Sequence, residues 1–399
     1  MLSYEPLKKL IMEQALKLWP TFVDEIQALP FELVPLIRHE LGDYGSEFPL
    51  QLGRLVSERP EALATKLIES LPEMLGGMFI QDRGYLNIRL VGPVLDHLVY
   101  QDKYEAESLS YSLGVQPCSK ILLGIPYLRL TCAALLQARL LSKLGAQPTL
   151  YLQEVKIENP FSDQGRKLAL DLALEAKASD AQHSFISAFE NFIKCQTGEA
   201  RSCYWLYPPG LPSGEFAKLC EHQPQNVILR GVQRDWLLGF EDYSVPKVQA
   251  ALAPPHFDAS VLYFAGQHRA AELDLAVPTL KEKANLFWYL AVSLGRLKNF
   301  ERVPVSELFS IRNMALTPEW RRIWVRSIQL HDFNIRAALK AEISDLIACL
   351  YQLLDSVNQV MNSPQFRQRL ERGCINDFES QLLAGAYAVL SDTMCSEFM

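Results

Sequence analysis

Gly84-Tyr-Leu-Asn-Ile-Arg-Leu90 is the stretch on which the reading of this chain turns. Leu86, Ile88 and Leu90 alternate with Tyr85, Asn87 and Arg89, the period of two that gives a strand one buried and one open face. Met78-Phe-Ile-Gln81 leads into it. Upstream, Leu7, Leu10, Ile11, Ala15 and Leu18 recur at helical spacing, and residues 22–28 continue that register past Pro20. Residues 49–56 and 61–71 carry further helical patterns. The second follows Pro60, a residue suited to a first helical turn. Residues 1–92 therefore read as a small α+β unit.

Further along, the pattern changes. Lys120-Ile-Leu-Leu-Gly124 is a short apolar strand, and 128–144 is an Ala/Leu-rich helix stopped by Gly145. Pro148-Thr-Leu-Tyr-Leu-Gln153 is a second strand. That β-α-β order predicts parallel strands joined by a right-handed crossover. Asn226-Val-Ile-Leu229 and Ser260-Val-Leu-Tyr-Phe264 are later strand candidates, and residues 207–214 and 253–256 are loops by composition. From about 301 the pattern is helical. Thr317-Pro-Glu-Trp opens with a capping threonine and proline at the first helical position. Residues 332–361 form one long amphipathic run and 376–394 another.

Composition sets outer bounds. The 399 residues call for two or three domains, and 49% hydrophobic with 21% charged is ordinary for a soluble protein. No stretch approaches the roughly 18 apolar residues of a membrane helix, and residues 1–20 lack the apolar core of a signal peptide, so a cytoplasmic location without membrane association is expected. The net charge of −7 argues against indiscriminate nucleic-acid binding but leaves room for a local basic face. The eight cysteines contain no C-x-x-C, and the seven histidines no H-x-x-x-H. No metal site and no cofactor are expected.

Four elements occur in order: Leu41-Gly-Asp-Tyr-Gly-Ser46, Phe48-Pro-Leu-Gln-Leu-Gly53, the helix behind Arg59-Pro60, and Gly84-Tyr-Leu-Asn-Ile-Arg-Leu90. This series resembles the additional N-terminal domain of arginyl-tRNA synthetases, with its H-G-D-Y, its two proline-led helices and its closing G-F/Y-I/L-N-I strand. The centre extends the resemblance and departs from it. Leu128-Arg-Leu-Thr131 opens a helix ending at Leu144-Gly145 with the family's spacing. The four preceding positions, where the family carries H-x-G-H, are Gly124, Ile125, Pro126 and Tyr127. Those imidazoles would stabilise charge developing on the ATP phosphates, each such donor being worth about 2.7–4 kcal/mol. Glycine offers nothing there, and a phenol is a weaker, neutral donor. No K-M-S-K-S-like loop is found either, so aminoacylation is not expected. The helical end loosely resembles the family's DALR anticodon-binding domain, through residues 340–354 and 381–394.

The fold class expected is multidomain: an α+β tRNA-contact domain at 1–92, a degenerate Rossmann-like α/β domain at 119–300, and an all-α DALR-like helical bundle at 301–399. The resemblance implies that Tyr85 and Asn87 meet an unpaired D-loop base, by stacking and by base-edge hydrogen bonds. Arg83 and Arg89 would flank them toward phosphates. Trp320, Arg321, Arg322, Trp324 and Arg326 form a basic aromatic helix near the expected anticodon side. The same five residues read equally as two core tryptophans with arginines reaching solvent, and both readings stay open. Arg129 and Thr131, in the first turn expected from Leu128, either hold an anion or close the strand-helix turn. His268 is unassigned. The function expected is non-catalytic binding of tRNA, of arginine type by the resemblance, to present it to another enzyme. The alternatives are a scaffold that binds a protein partner and, further off, an active ATP-using arginine-tRNA ligase.

Overall fold

The alternation around Ile88 is realised as a strand, and its neighbours account for the first of two sheets among the described residues. The structure, a computed structural model, describes residues 5–71, 77–90, 110–115, 125–144, 146–152, 155–160, 162–175, 202–207, 220–221, 227–231, 259, 261, 281, 283–301, 317–340 and 343–394. Helix α1 (Glu5–Leu18) is followed by a 3-10 turn over Pro20–Phe22 and by α2 (Val23–Ala28). The register expected to run through Pro20 is interrupted there, because proline cannot donate to the preceding turn. Then come β1 (Val34–Pro35), β2 (Tyr44–Ser46), α3 (Phe48–Val56), α4 (Pro60–Ser70), β3 (Gly77–Asp82) and β4 (Tyr85–Leu90).

The four strands form an antiparallel sheet in the order β1-β2-β4-β3. Leu86, Ile88 and Leu90 are buried, as are Leu52 of α3 and Leu63 and Leu67 of α4, whose helices pack on this strand. Each such side chain stabilises the fold by about 1.5–3 kcal/mol. Asp82 pairs with Tyr85, which leaves Arg83 and Gly84 as a two-residue hairpin loop. Their φ angles are 49° and 85°, the pair of left-handed residues that a twist-matched tight hairpin demands. A Cβ on Gly84 would lie 2.8 Å from Pro60, so only glycine serves at that position.

The second sheet contains β5 (Ser110–Val115), β6 (Gln147–Leu152), β7 (Val155–Ile157), β8 (Ser202–Tyr207) and β9 (Val227–Gly231), in the order β7-β6-β5-β8-β9. All pairs are parallel except the edge pair of β6 and β7. The expected β-α-β order is thus present, with α5 (Ile125–Lys143) between β5 and β6, but its first strand lies at 110–115. The strand expected at 120–124, the loops at 208–214 and 253–256, and His268 lie outside the described residues. Two expectations need correction. Val261 is helical and buried, not the start of a strand, because a short apolar run does not by itself separate strand from buried helix. Tyr207 ends β8 rather than opening a loop, and the aromatic run Cys203-Tyr-Trp-Leu-Tyr207 was its available signal.

Helix α5 begins at Ile125, three residues before the expected start, with Pro126 tolerated in the first turn. From Thr131 to Ala138 every residue is buried. The buried Gln137 donates from Nε2 to the Ala338 carbonyl at 2.9 Å, as an interior amide must find a partner. Helix α6 (Asp163–Glu175) packs on α5, and α7 (Leu286–Leu297) follows later in the chain.

The C-terminal part consists of α8 (Pro318–Lys340), α9 (Ile343–Asn362), α10 (Pro364–Glu371) and α11 (Asp377–Met394). The single run expected over 332–361 is therefore shared by two helices. Ser363 caps α10, its hydroxyl accepting from the Phe366 N–H. Two compact units result. One contains Met1–Tyr104, Ser293–Phe333 and Cys349–Glu397; the other contains Glu105–Val292, Asn334–Ala348 and Phe398–Met399. The two ends of the chain thus build one core.

Candidate nucleic-acid interface

Within the first unit, the Leu41-Gly-Asp-Tyr44 segment is built into the side of α8. Gly42 has φ 127°, and a Cβ there would meet the Ile88 carbonyl oxygen at 3.0 Å, so the turn requires glycine. That turn sends Asp43 and Tyr44 inward, both buried. The Tyr44 hydroxyl donates to Asp332 Oδ2 at 2.6 Å. Asp43 Oδ2 accepts from the Leu90 N–H at 2.7 Å and from Arg321 Nη2 at 2.5 Å. Arg321 also donates to the Leu90 carbonyl at 3.0 Å. The carboxylate, strand end and guanidinium form one closed set. A part-buried, doubly hydrogen-bonded ion pair of this kind exceeds the value of a surface pair.

Arg326 goes deeper. Only 2% exposed, it donates to the carbonyls of Leu36 (2.8 Å) and Ile37 (2.7 Å) and to Gln329 Oε1. Gln329 in turn donates to the Asp43 carbonyl. Burial, above all, pulls the Arg326 guanidinium down from its ordinary proton affinity. Cys349 and Asp43 oppose the shift, and the nearby Arg322 charge adds to it. Trp320 and Trp324 face elsewhere, 8% and 3% exposed. Their rings meet Phe366 at 6.0 Å and Phe378 at 6.5 Å, the latter edge-on.

Of the two readings open for this helix, both tryptophans follow the core reading. Neither reading anticipated Arg326, which does not reach solvent because the 36–37 carbonyls need a donor. A charge reversal at Arg326 therefore cannot leave the fold intact, and the placement of Arg326 toward an anticodon or toward solvent is corrected. Arg321 and Arg322 are both half-buried and border open space, but Arg321 is tied to Asp43.

The strand candidates divide differently. Tyr85 is 45% exposed at the hairpin end, beside the exposed Arg83. Asn87 shares that face but is only 6% exposed. Its backbone pairs with Gly45 and Ile80. Its Oδ1 lies where a Cβ on Gly45 would come within 3.1 Å, and Leu36 would be 3.2 Å from the same position. Asn87 fills the room the glycine leaves, so its placement on an open face is corrected. Arg89 Nη2 donates to the carbonyls of His39 and Glu40, each at 3.2 Å. At the centre, Gly124 and the side chains of Tyr127 and Arg129 lie outside the described residues. Thr131 is fully buried in the second turn of α5. Its place in the first turn is corrected: with the helix starting at Ile125, the open N–H groups belong to earlier residues.

Two groups of candidates that the sequence kept apart meet in one place. A cleft of about 290 Å³ in this unit is bordered by Arg89, Arg321, Arg322 and Arg326, together with His39 and Asp43. His39 and Asp43 were not singled out from the sequence. Among the described residues, no group of three or more His, Cys, Asp or Glu is placed to hold a metal ion. No helix among them is long and apolar enough to cross a membrane.

No protein-family model matches the sequence, and no curated protein matches it. Solved structures do match. The arginyl-tRNA synthetase of Thermus thermophilus aligns over 98% of this chain and 97% of its own, with TM-score 0.57 and 11% identity. The arginyl-tRNA synthetase of Plasmodium falciparum aligns over the same shares, with TM-score 0.51 and 10% identity. In its fold, this chain is arginyl-tRNA synthetase-like along nearly its whole length.

Proposed function

We propose that this protein is a non-catalytic, tRNA-binding relative of arginyl-tRNA synthetase that presents tRNA to another enzyme in the cytoplasm. One observation carries the reading: a synthetase-like fold over 98% of the chain accompanies a signature position that reads Gly124-Ile-Pro-Tyr127. No imidazole stands there to meet the charge of adenylate formation. In this reading 1–92 is the tRNA-contact domain, 119–300 a degenerate Rossmann-like domain and 301–399 a DALR-like anticodon domain. Tyr85 at the hairpin end is the stacking contact, with Arg83 beside it.

The reading has a two-part test. Arginine-dependent ATP–pyrophosphate exchange stays at background with or without tRNA, while labelled tRNA binds with an affinity that falls steeply as salt rises. Tyr85→Ala weakens that binding by about 1–3 kcal/mol, the worth of one stacked base. Clear exchange activity would move the chain to the active ligases. A second reading, a scaffold for a protein partner, draws on Trp320, Trp324 and Arg326, which are committed to internal contacts and so withdrawn from any anticodon. Absence of tRNA binding at low salt would favour it.

A further inference from the structure

The cleft at the start of α8 is electrostatically lopsided. Among the described residues, four guanidinium groups border it, from Arg89, Arg321, Arg322 and Arg326, against the single carboxylate of Asp43. Asp43 is committed to Arg321 at 2.5 Å. Arg89 donates to backbone carbonyls through Nη2 alone, and Arg326 to two carbonyls and a glutamine through Nη1 and Nη2. Those partners satisfy hydrogen bonds without cancelling charge. Arg322 stands one turn before Arg326 on the same helix, a like-charged pair at close range. Further carboxylates among the described residues are Glu319, which feels the Arg322 charge, the exposed Glu40, 3.9 Å from His39, and Asp332, which accepts from Tyr44. Positive charge gathered in a recess of a protein whose net charge is −7 is costly unless an anion enters. The volume of about 290 Å³ is far above the roughly 30 Å³ that one water occupies.

We infer that this cleft is a phosphate-binding site, in which Arg322 and Arg89 hold one phosphate group beside His39, with Arg326 supplying charge from behind. A guanidinium is suited to the task because its planar fork matches phosphate oxygens. Under the tRNA-binding reading, on which this assignment of the source rests, the occupant is a backbone phosphodiester. The N-terminal sheet and the start of α8 then grip one stretch of RNA jointly, and Arg321 and Arg326 position the site rather than touching an anticodon base.

The test uses the full chain and two probes, labelled tRNA and inorganic pyrophosphate. Arg322→Gln is the deciding variant, since its half-buried side chain is not among those that tie the fold together. Arg89→Gln is the second, Arg322→Lys the charge-preserving rescue, and Arg54→Gln, at an exposed arginine of α3, the control for general charge loss. The expected result is a loss of about tenfold in tRNA affinity at low salt for Arg322→Gln, with the log–log salt slope reduced by about 1. Arg322→Lys recovers most of the loss and Arg54→Gln changes little. Pyrophosphate raises the wild-type melting temperature and displaces tRNA, and Arg322→Gln loses both effects. If Arg322→Gln and Arg89→Gln bind both probes as wild type does, the cleft is not a phosphate site, although tRNA binding itself stands. If wild type binds pyrophosphate through Arg322 yet takes no tRNA, the site stands and the tRNA reading fails. Binding of neither probe overturns both.

Discussion

The hairpin of β3 and β4 and the first turns of α8 both read, in sequence, as two-faced elements carrying arginine and aromatic residues. They behave oppositely. Tyr85 and Arg83 are presented outward at the hairpin end, whereas Trp320, Trp324 and Arg326 are enclosed. A strand's facing is fixed by its pleat, and a one-residue slip would turn its entire apolar set outward. A helix's facing depends on how many neighbours surround it. Here α10 and α11 take the tryptophan side through Phe366 and Phe378, and the 36–44 segment takes the arginine side. An element enclosed from both sides hides polar residues as readily as apolar ones, provided each finds a partner.

The contrast breaks most visibly at Arg326. Replacing it with methionine strands the carbonyls of Leu36 and Ile37, and unfolding in urea should show a loss of about 3–5 kcal/mol. A loss below about 0.5 kcal/mol would mean this side of the helix behaves as surface. Next in size is the coupling between Asp43 and Arg321. A double-mutant cycle with Asp43→Asn and Arg321→Met should return an interaction of about 1–3 kcal/mol, and additive single effects would reduce the pair to a surface contact.

Glu319 gives a smaller, pH-dependent effect. Its own backbone N–H, then the Thr317 hydroxyl, hold its carboxyl below the usual range, with Arg322 assisting. A carboxyl depressed in the folded state stabilises the fold above its unfolded pKa, and the contribution disappears as pH falls through the folded one. Glu319→Gln should therefore lower the melting temperature slightly at neutral pH, and the gap should close below the ordinary glutamate value of about 4.3. A constant gap down to low pH would assign the effect to packing. The smallest change in stability is expected at Tyr85→Ala, within about 0.5 kcal/mol. A larger one would place that ring in the core and erase the contrast with the helix.

Much of this was legible in particular residues. The spacing from Leu7 to Leu18, the proline before α4 and the alternation through Leu90 each specify an element from local rules, and those elements form. Arg83-Gly84 could have been read as a tight hairpin from the glycine alone. Asn87 could not be placed, because its cover comes from the absent side chain of Gly45, a strand away. Nor could Arg326, whose partners are backbone carbonyls almost 300 residues earlier, at Leu36 and Ile37. A carbonyl leaves no mark in a sequence.

The sequence by itself determined the class of most of the described segments and the parallel β-α-β order of the centre. These follow from periodicity, turn chemistry and side-chain identity, which act over a few residues. Only the tertiary structure decided that the two ends of the chain share one core, that Asp43 and Tyr44 are committed to α8, and that Arg89 and Arg322 border the same cleft. The reason is that burial and ion pairing are properties of what surrounds a side chain. In this unit those surroundings come from segments separated by more than two hundred residues.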